Sequence, residues 1–190
     1  MFFGTGFNKA YIDENTNLPY LCDANMLSKC PNIQQIDGMF RAMRSLPTHS
    51  LYNNMFAKQV AIKNASGLFR SNDNLTGAIN QSFLQNSLGT LEDVSEMFAF
   101  CNLSSIVITF LNGGSKNTKL KYVGGLFYNN SNITGGSPEF WKGNMFSNIK
   151  MDEKGYYGTI YNCTKLSNYN EAKTSSENWT TGRDLKIDEV

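Results

Sequence analysis

Residues 94–103 (VSEMFAFCNL) contain the pair Met97-Phe98, and similar pairs recur along the chain at a fixed interval. An aliphatic residue followed by phenylalanine stands at the same place in four segments, each 29 residues from the next. The pairs are Met39-Phe40, Leu68-Phe69, Met97-Phe98 and Leu126-Phe127. A fixed period of this length indicates units stacked on one another, because one such unit is too small to bury its own apolar face.

Apolar residues precede each phenylalanine by seven, four and one positions. In the third unit these residues are Leu91, Val94 and Met97. The spacing is typical of the buried stripe of a short amphipathic helix. Beyond each pair, alternating or β-branched segments such as residues 104–110 (SSIVITF) predict short strands.

The fold class predicted from this period is α/β. We expect a right-handed solenoid of about six units of ~29 residues, with parallel strands on one face and short helices on the other. Residues 1–172 would form the repeat solenoid, with weaker copies around Tyr11 and Tyr161, and residues 173–190 a C-terminal cap or tail. Atypical end units are expected because they close the stack.

A small polar residue recurs shortly after each aromatic anchor. Asn72, Cys101 and Asn130 stand three residues after their phenylalanines, Cys163 stands two after Tyr161, and Met43 departs from the pattern. In successive units these groups would form a ladder facing the backbone amides of the turns. We therefore interpret these cysteines as reduced packing residues.

Residues 94–103 and 160–166 (IYNCTKL) resemble leucine-rich repeats of the BspA type. In that family Met-Phe or Ala-Phe is followed by a short gap, by Cys or Asn, and then by Leu. The resemblance covers residues 7–169, and it implies a leucine-rich-repeat-like solenoid. Residues 132–141 (NITGGSPEFW) also resemble repeats in surface or virion proteins of gut bacteria and their phages, which implies a non-catalytic structural or adhesive role.

The composition excludes several classes of protein. The formal net charge is +1, so no basic footprint for nucleic acid is present. The longest apolar run, residues 106–111, is too short to span a bilayer, and we expect no membrane insertion. Residues 1–4 lack the basic flank and apolar stretch of a secretory signal, so no signal peptide is visible in this chain.

No residue pattern points to catalysis, to a cofactor or to a metal. His49 is the single histidine, and we expect it in an exposed loop with no nucleophile beside it. Glycan cleavage would require two facing carboxylates. The acidic residues, such as Asp37, Glu92 and Asp93, are scattered over polar repeat positions, which makes an enzyme on a repeat scaffold the weakest alternative.

We therefore expect a non-catalytic structural or adhesive protein: a phage virion component, associated with the tail or capsid, that binds a protein partner or a cell-surface glycan. The alternative is a secreted bacterial surface adhesin, so the expected location is the virion or the cell exterior. No binding residue is assigned. The presumed display face lies near Ser104, Ser105, Thr134 and Gly135.

Overall fold

The computed structural model describes residues 10–15, 17–23, 25–112, 119–142 and 146–188. Within these ranges the regular elements are short, and most of the chain forms turns and irregular segments. The strands are β1 (Tyr11–Ile12), β2 (Pro19–Tyr20), β3 (Ala78–Ile79), β4 (Ser105–Ile106) and β5 (Thr134–Gly135). The α-helices are α1 (Glu153–Tyr156) and α2 (Tyr169–Ser175), and 3-10 turns occur at Gln85–Ser87 and Glu177–Trp179.

Successive units contribute parallel strands to one small sheet. β3 pairs with β4 and β4 with β5, both in parallel, whereas β1 and β2 form an antiparallel hairpin. A second line of parallel bridges joins four residues that precede the anchors by five positions. These residues are Gln35, Asn64, Asp93 and Tyr122. The chain therefore advances by one strand spacing per unit, about 4.8 Å.

The anchor phenylalanines lie over one another in a single column. The ring centroids are 5.6 Å apart for Phe40 and Phe69, 5.4 Å for Phe69 and Phe98, and 5.9 Å for Phe98 and Phe127. The planes of neighbouring rings differ by 3°, 11° and 1°. All four side chains are buried. Burial of each such side chain contributes about 1.5–3 kcal/mol, so the column is a main source of stability.

Backbone hydrogen bonds tie each unit to the next at the same level. The amide of an anchor phenylalanine donates to the carbonyl of the residue that precedes the next anchor, at 2.9–3.0 Å. These bonds join Phe40 to Leu68, Phe69 to Met97 and Phe98 to Leu126. The backbone of the anchor segments is thus satisfied between units.

The helices predicted before each anchor are absent, and this part of the prediction is wrong. Residues 33–40, 62–69, 91–98 and 120–127 form tight turns and single bridges. The reason is the residue two positions before each anchor, which has a positive φ that no α-helix accommodates. These residues are Gly38 at 57°, Gly67 at 57°, Glu96 at 56° and Gly125 at 68°. The predicted strand over 104–110 also shortens to β4.

The recurrent polar residues form a buried ladder that faces backbone amides, as the sequence predicted, and backbone carbonyls as well. Asn72 accepts from the amide of Met43, and Asn130 accepts from the amide of Leu103. Each side chain donates to the carbonyl of the anchor in the preceding unit. The bonds are Asn72 to Phe40 at 2.8 Å, Cys101 to Phe69 at 3.2 Å, Asn130 to Phe98 at 2.7 Å and Cys163 to Phe127 at 3.0 Å. Burial raises the pKa of the Cys163 thiol to about 12, and all four cysteines are free.

The C-terminal part closes one end of the stack and then turns back along it. Trp179 is buried, and its ring centroid lies 4.8 Å from that of Tyr156. The carbonyl of Trp179 accepts from the amide of Ile160 at 3.1 Å, which continues the bonding between units. Residues 1–9 of the predicted repeat domain, and residues 189 and 190 of the predicted tail, lie outside the described part of the chain.

Candidate functional site

β4 and β5 bring together the residues presumed to lie near the display face. Thr134 donates to the carbonyl of Ser104 through its amide at 3.0 Å and through its hydroxyl at 2.9 Å. Ser104, Thr134 and Gly135 are exposed, and Ser105 is half-buried. Gly135 has φ +82°, and a Cβ atom there would clash with the carbonyl oxygen of Ile106. The close approach of β4 and β5 therefore requires glycine at this position.

Exposed amides continue this surface, which we call the sheet face (Asn102, Ser104, Asn132 and Thr134). Asn132 donates to the side-chain oxygen of Asn102 at 2.9 Å, and Lys165 donates to Asn132 at 2.8 Å. Such bonds between units hold these side chains in fixed positions. Next to them Val107 is 39% exposed and Ile108 43% exposed. The sheet face is thus a flat polar surface with a small apolar margin.

A concave surface lies along another part of the stack, where residues two to five positions before the anchors line up. We call it the furrow. Its main cavity measures about 280 Å³. The residues that line this cavity are Asp37, Gly38, Arg41, Asn64, Ser66, Gly67, Asp93, Glu96 and Lys154. Three consecutive units and α1 therefore contribute to one polar depression.

Asp93 is fixed at the centre of the furrow. One carboxylate oxygen accepts from the amide of Ser95 at 2.9 Å and from its hydroxyl at 2.6 Å. The other oxygen lies 2.8 Å from Nζ of Lys154. The hydrogen bond to Asp93 raises the pKa of Lys154, and the ammonium also lies 4.6 Å from the centroid of the Tyr122 ring. The depression presents a buried acid covered by a largely exposed base.

A second cavity of about 210 Å³ adjoins the first one and extends the furrow. Asn64 and Asp93 line both cavities, and Lys63, Glu92 and Tyr122 extend the second one. A hydrogen bond from the ammonium of Lys121, at 2.8 Å, holds the pKa of Glu92 below its usual value. The furrow therefore alternates in charge along the stack, with an aromatic ring at one end.

Sequence reasoning missed the furrow, although its signal was present. Polar residues stand three and five positions before most anchors, for instance Asp37, Ser66 and Ser95 at minus three. Helices before the anchors would place the polar positions on their outward face, apart from one another. In the structure the same positions belong to turns whose side chains converge. Ser66 and Ser95 are 3.0 Å apart, oxygen to oxygen, and are thus linked between units.

His49 is buried, so the prediction of an exposed loop position is wrong. Its backbone amide donates to the carbonyl of Asn74 at 3.1 Å, and it forms a parallel bridge with Leu75. The ring Nδ1 lies 2.7 Å from the carbonyl of Pro47 and must donate to it, since a carbonyl only accepts. Burial lowers the pKa of His49 despite this bond. The histidine is a packing residue outside the furrow.

The furrow presents carboxylates, bases and hydroxyl groups around one cavity. Asp37, Asp93 and Glu96 all line the main cavity, so the acidic residues are less scattered than the sequence suggested. Asp93 is engaged as described, and Glu96 pairs with Arg70 and Arg183. Among the described residues, no group of three or more His, Cys, Asp or Glu side chains could hold a metal ion.

Comparison with protein-family models, with curated protein sequences and with solved structures finds no match to this chain. In the part of the chain that the structure describes, no helix is both long enough and apolar enough to cross a bilayer.

Proposed function

We propose that the chain is a leucine-rich-repeat-like solenoid with a non-catalytic, adhesive or structural function, and that the furrow is its binding surface. We further propose a setting in a phage virion, associated with the tail or capsid, with a protein or a cell-surface glycan as the partner. The single observation that supports this function is the furrow itself, where consecutive units place polar side chains at equivalent positions around one depression.

The furrow favours a partner rich in hydroxyl or amide groups. Both acids and bases line it, and some of them are paired, as Asp93 is with Lys154 and Glu96 with Arg70, so the depression offers many hydrogen-bonding groups without a strong net field. Tyr122 supplies an aromatic ring beside them. A site with placed polar groups and an aromatic surface suits sugars and polar peptide segments. Rigid side chains reduce the entropic cost of binding.

The test is a glycan array and a panel of candidate surface proteins, each probed with the labelled full chain. Asp37→Asn and Lys63→Gln alter the two cavities at side chains that form no hydrogen bond or ion pair within the described residues, so the fold should be unaffected. We expect each to weaken binding about tenfold or more. The matched controls are Asp184→Asn and Lys58→Gln, which make the same charge changes at exposed positions outside the furrow. Equal losses in all four variants would refute the furrow as the site.

The setting requires a separate measurement. Mass spectrometry of purified virus particles and of washed cell surfaces from the source sample should find the chain in the particles. Recovery on bacterial surfaces alone would favour the adhesin.

A specific observation keeps the glycan-cleaving alternative open: three carboxylates line one cavity. Incubation of any bound oligosaccharide with the full chain, followed by product analysis, decides it. Cleavage that Asp93→Asn abolishes would replace the non-catalytic function by an enzymatic one.

A further inference from the structure

The tail segment (residues 183–188) crosses the stack from the unit of Phe127 to the unit of Phe40. Near its start, the carbonyl of Arg183 accepts from the Tyr128 hydroxyl at 2.8 Å, and farther along the carbonyl of Lys186 accepts from Arg70 at 2.7 Å. Five extended residue steps span about 17 Å. Three spacings between units amount to about 14 Å, so the segment is nearly extended along the stack axis.

Asp188 occupies a built carboxylate site. Arg41 donates to its two oxygens from Nε at 2.8 Å and from Nη2 at 2.5 Å, and the Ser71 hydroxyl donates at 2.8 Å. Nε of Arg70 lies 3.4 Å away. Burial would raise the pKa of Asp188, but the bonds from Arg41 and Ser71 and the charges of both arginines lower it. The fork-to-fork pairing with Arg41 is strong and directional.

The site also contacts the backbone of residue 188. Its amide donates to the oxygen of Ser71 at 2.8 Å, and its carbonyl accepts from Nη1 of Arg44 at 3.2 Å. Side chain and backbone are therefore both recognised, as expected for a site that binds an extended peptide.

A second site of opposite charge fixes the other end of the segment. The Arg183 side chain is 11% exposed and lies 3.6 Å from Glu96 and 3.6 Å from Glu153. A base bound at one end and an acid bound at the other define both the direction and the register of the segment. Its sequence, not its shape alone, is thus what the stack recognises.

Few apolar contacts hold the segment between these ends. Leu185 approaches Gly125 and is half-buried, and Ile187 is 36% exposed. A segment held by polar bonds, with few buried apolar contacts, opens more readily than a packed core. Opening would expose the groups of Arg41, Arg70 and Ser71 that bind Asp188.

We propose that this site is exchangeable, and that its second occupant is the tail segment of another copy of this chain. The structure shows complementarity to one sequence, residues 183–188, and every other copy carries that sequence. Exchange of an identical element between copies costs little, since each bond that opens within one chain forms again between two chains. The site that binds the tail segment is separate from the furrow, although Arg41 and Glu96 border both surfaces.

The test mixes two full-length variants with complementary defects. Asp188→Asn disables the tail segment and leaves the site intact, whereas Arg41→Gln disables the site and leaves the segment intact. Sedimentation velocity of the mixture should show a heterodimer at concentrations where each variant alone is monomeric. The matched control replaces the first variant by Asp184→Asn, an equal charge change at an exposed residue, and should show none. No heterodimer, or the same amount in both mixtures, overturns the proposal.

A peptide measurement keeps the test decisive if a variant is poorly folded. A labelled synthetic peptide of residues 181–190 should bind the Asp188→Asn chain at least about tenfold more tightly than the wild-type chain, whose own segment competes. The same peptide with asparagine in place of Asp188 should not bind. Equal binding of the two peptides overturns the carboxylate site. Specific peptide binding without a heterodimer overturns the second copy as the occupant.

Discussion

Asn130 should be among the residues whose truncation destabilises the chain most. Its side-chain oxygen accepts from the amide of Leu103 at 3.2 Å, and its nitrogen donates to the carbonyls of Phe98 at 2.7 Å and Phe127 at 3.1 Å. Asn130→Ala leaves the Leu103 amide buried with no acceptor among the described residues. An orphaned buried amide costs about 1–3 kcal/mol, and the two lost donations add about 1 kcal/mol together, for a total of about 2–4 kcal/mol.

The repeat supplies an informative partner variant. Cysteines occupy the same slot in neighbouring units, where Cys101 and Cys163 donate to the equivalent carbonyls. Asn130→Cys should retain one donor and lose the acceptor for the Leu103 amide, so we expect it to recover only about 0.5 kcal/mol of the loss seen for alanine. Asn102→Ala truncates an exposed asparagine and should cost less than about 0.5 kcal/mol.

The assay is urea unfolding at 25 °C followed by tryptophan fluorescence, with the free energy of unfolding compared at equal slope. Asn130→Ala within about 0.5 kcal/mol of wild type would refute the ladder as a structural element. Equal losses for alanine and cysteine would show that the carbonyl bond contributes nothing.

Three further predictions follow from single residues. Gly135→Ala should lower the free energy of unfolding by about 2 kcal/mol or more, since its Cβ meets the carbonyl of Ile106 at positive φ; an unchanged urea midpoint would contradict this. Because burial lowers the pKa of His49, the unfolded chain binds the proton more readily, and stability should fall as pH drops below about 6.5, by at most about 1.4 kcal/mol per pH unit. This is the single histidine, so a flat urea midpoint between pH 7.5 and 5.5 would be evidence against its burial. Glu96→Gly should preserve or raise stability to urea, while trypsin cleavage after Arg183 becomes several-fold faster. An unchanged cleavage rate would show that Glu96 does not hold the tail segment.

The ring column could be predicted from sequence because large aromatic side chains at equivalent repeat positions are buried at equivalent places in stacked units. Once Phe69, Phe98 and Phe127 are buried at equivalent positions, stacking places each ring against the next. The buried ladder followed from the same period. Its bonds to backbone amides were predicted, but its bonds to the anchor carbonyls were not, since an asparagine can bond to an amide, to a carbonyl or to both.

The helices were mispredicted because two structures produce the same apolar spacing. Offsets of seven, four and one fit a helical stripe, and they also fit a series of tight turns that return to the core at those residues. Gly38, Gly67 and Gly125 carried the discriminating signal. Glycine two positions before three of four anchors is costly in a helix and natural at positive φ. The furrow was not predicted for the same reason. Its side chains come together only when these segments form turns, and helices would keep them apart.

The prediction that His49 lies in an exposed loop was wrong for a different reason. Nothing in the residues around it distinguishes an exposed turn from a bridge position, because proline and serine neighbours occur in both. Its place is decided by bonds to the next unit, such as the one from its amide to Asn74. Local sequence patterns do not predict contacts of this kind between units.

Glu96 links the two surfaces proposed here. It occupies the left-handed position that glycine holds in the other three units, at a cost of about 1 kcal/mol or more for a residue with a side chain. The other units have glycine at this position, and a glutamate there is strained. We therefore infer that the Glu96 side chain itself is required. That side chain borders the furrow and pairs with Arg70 and with Arg183 of the tail segment. Docking of the segment therefore fixes one wall of the furrow, so a copy that donates its tail to a neighbour would also help to shape the neighbour's binding surface.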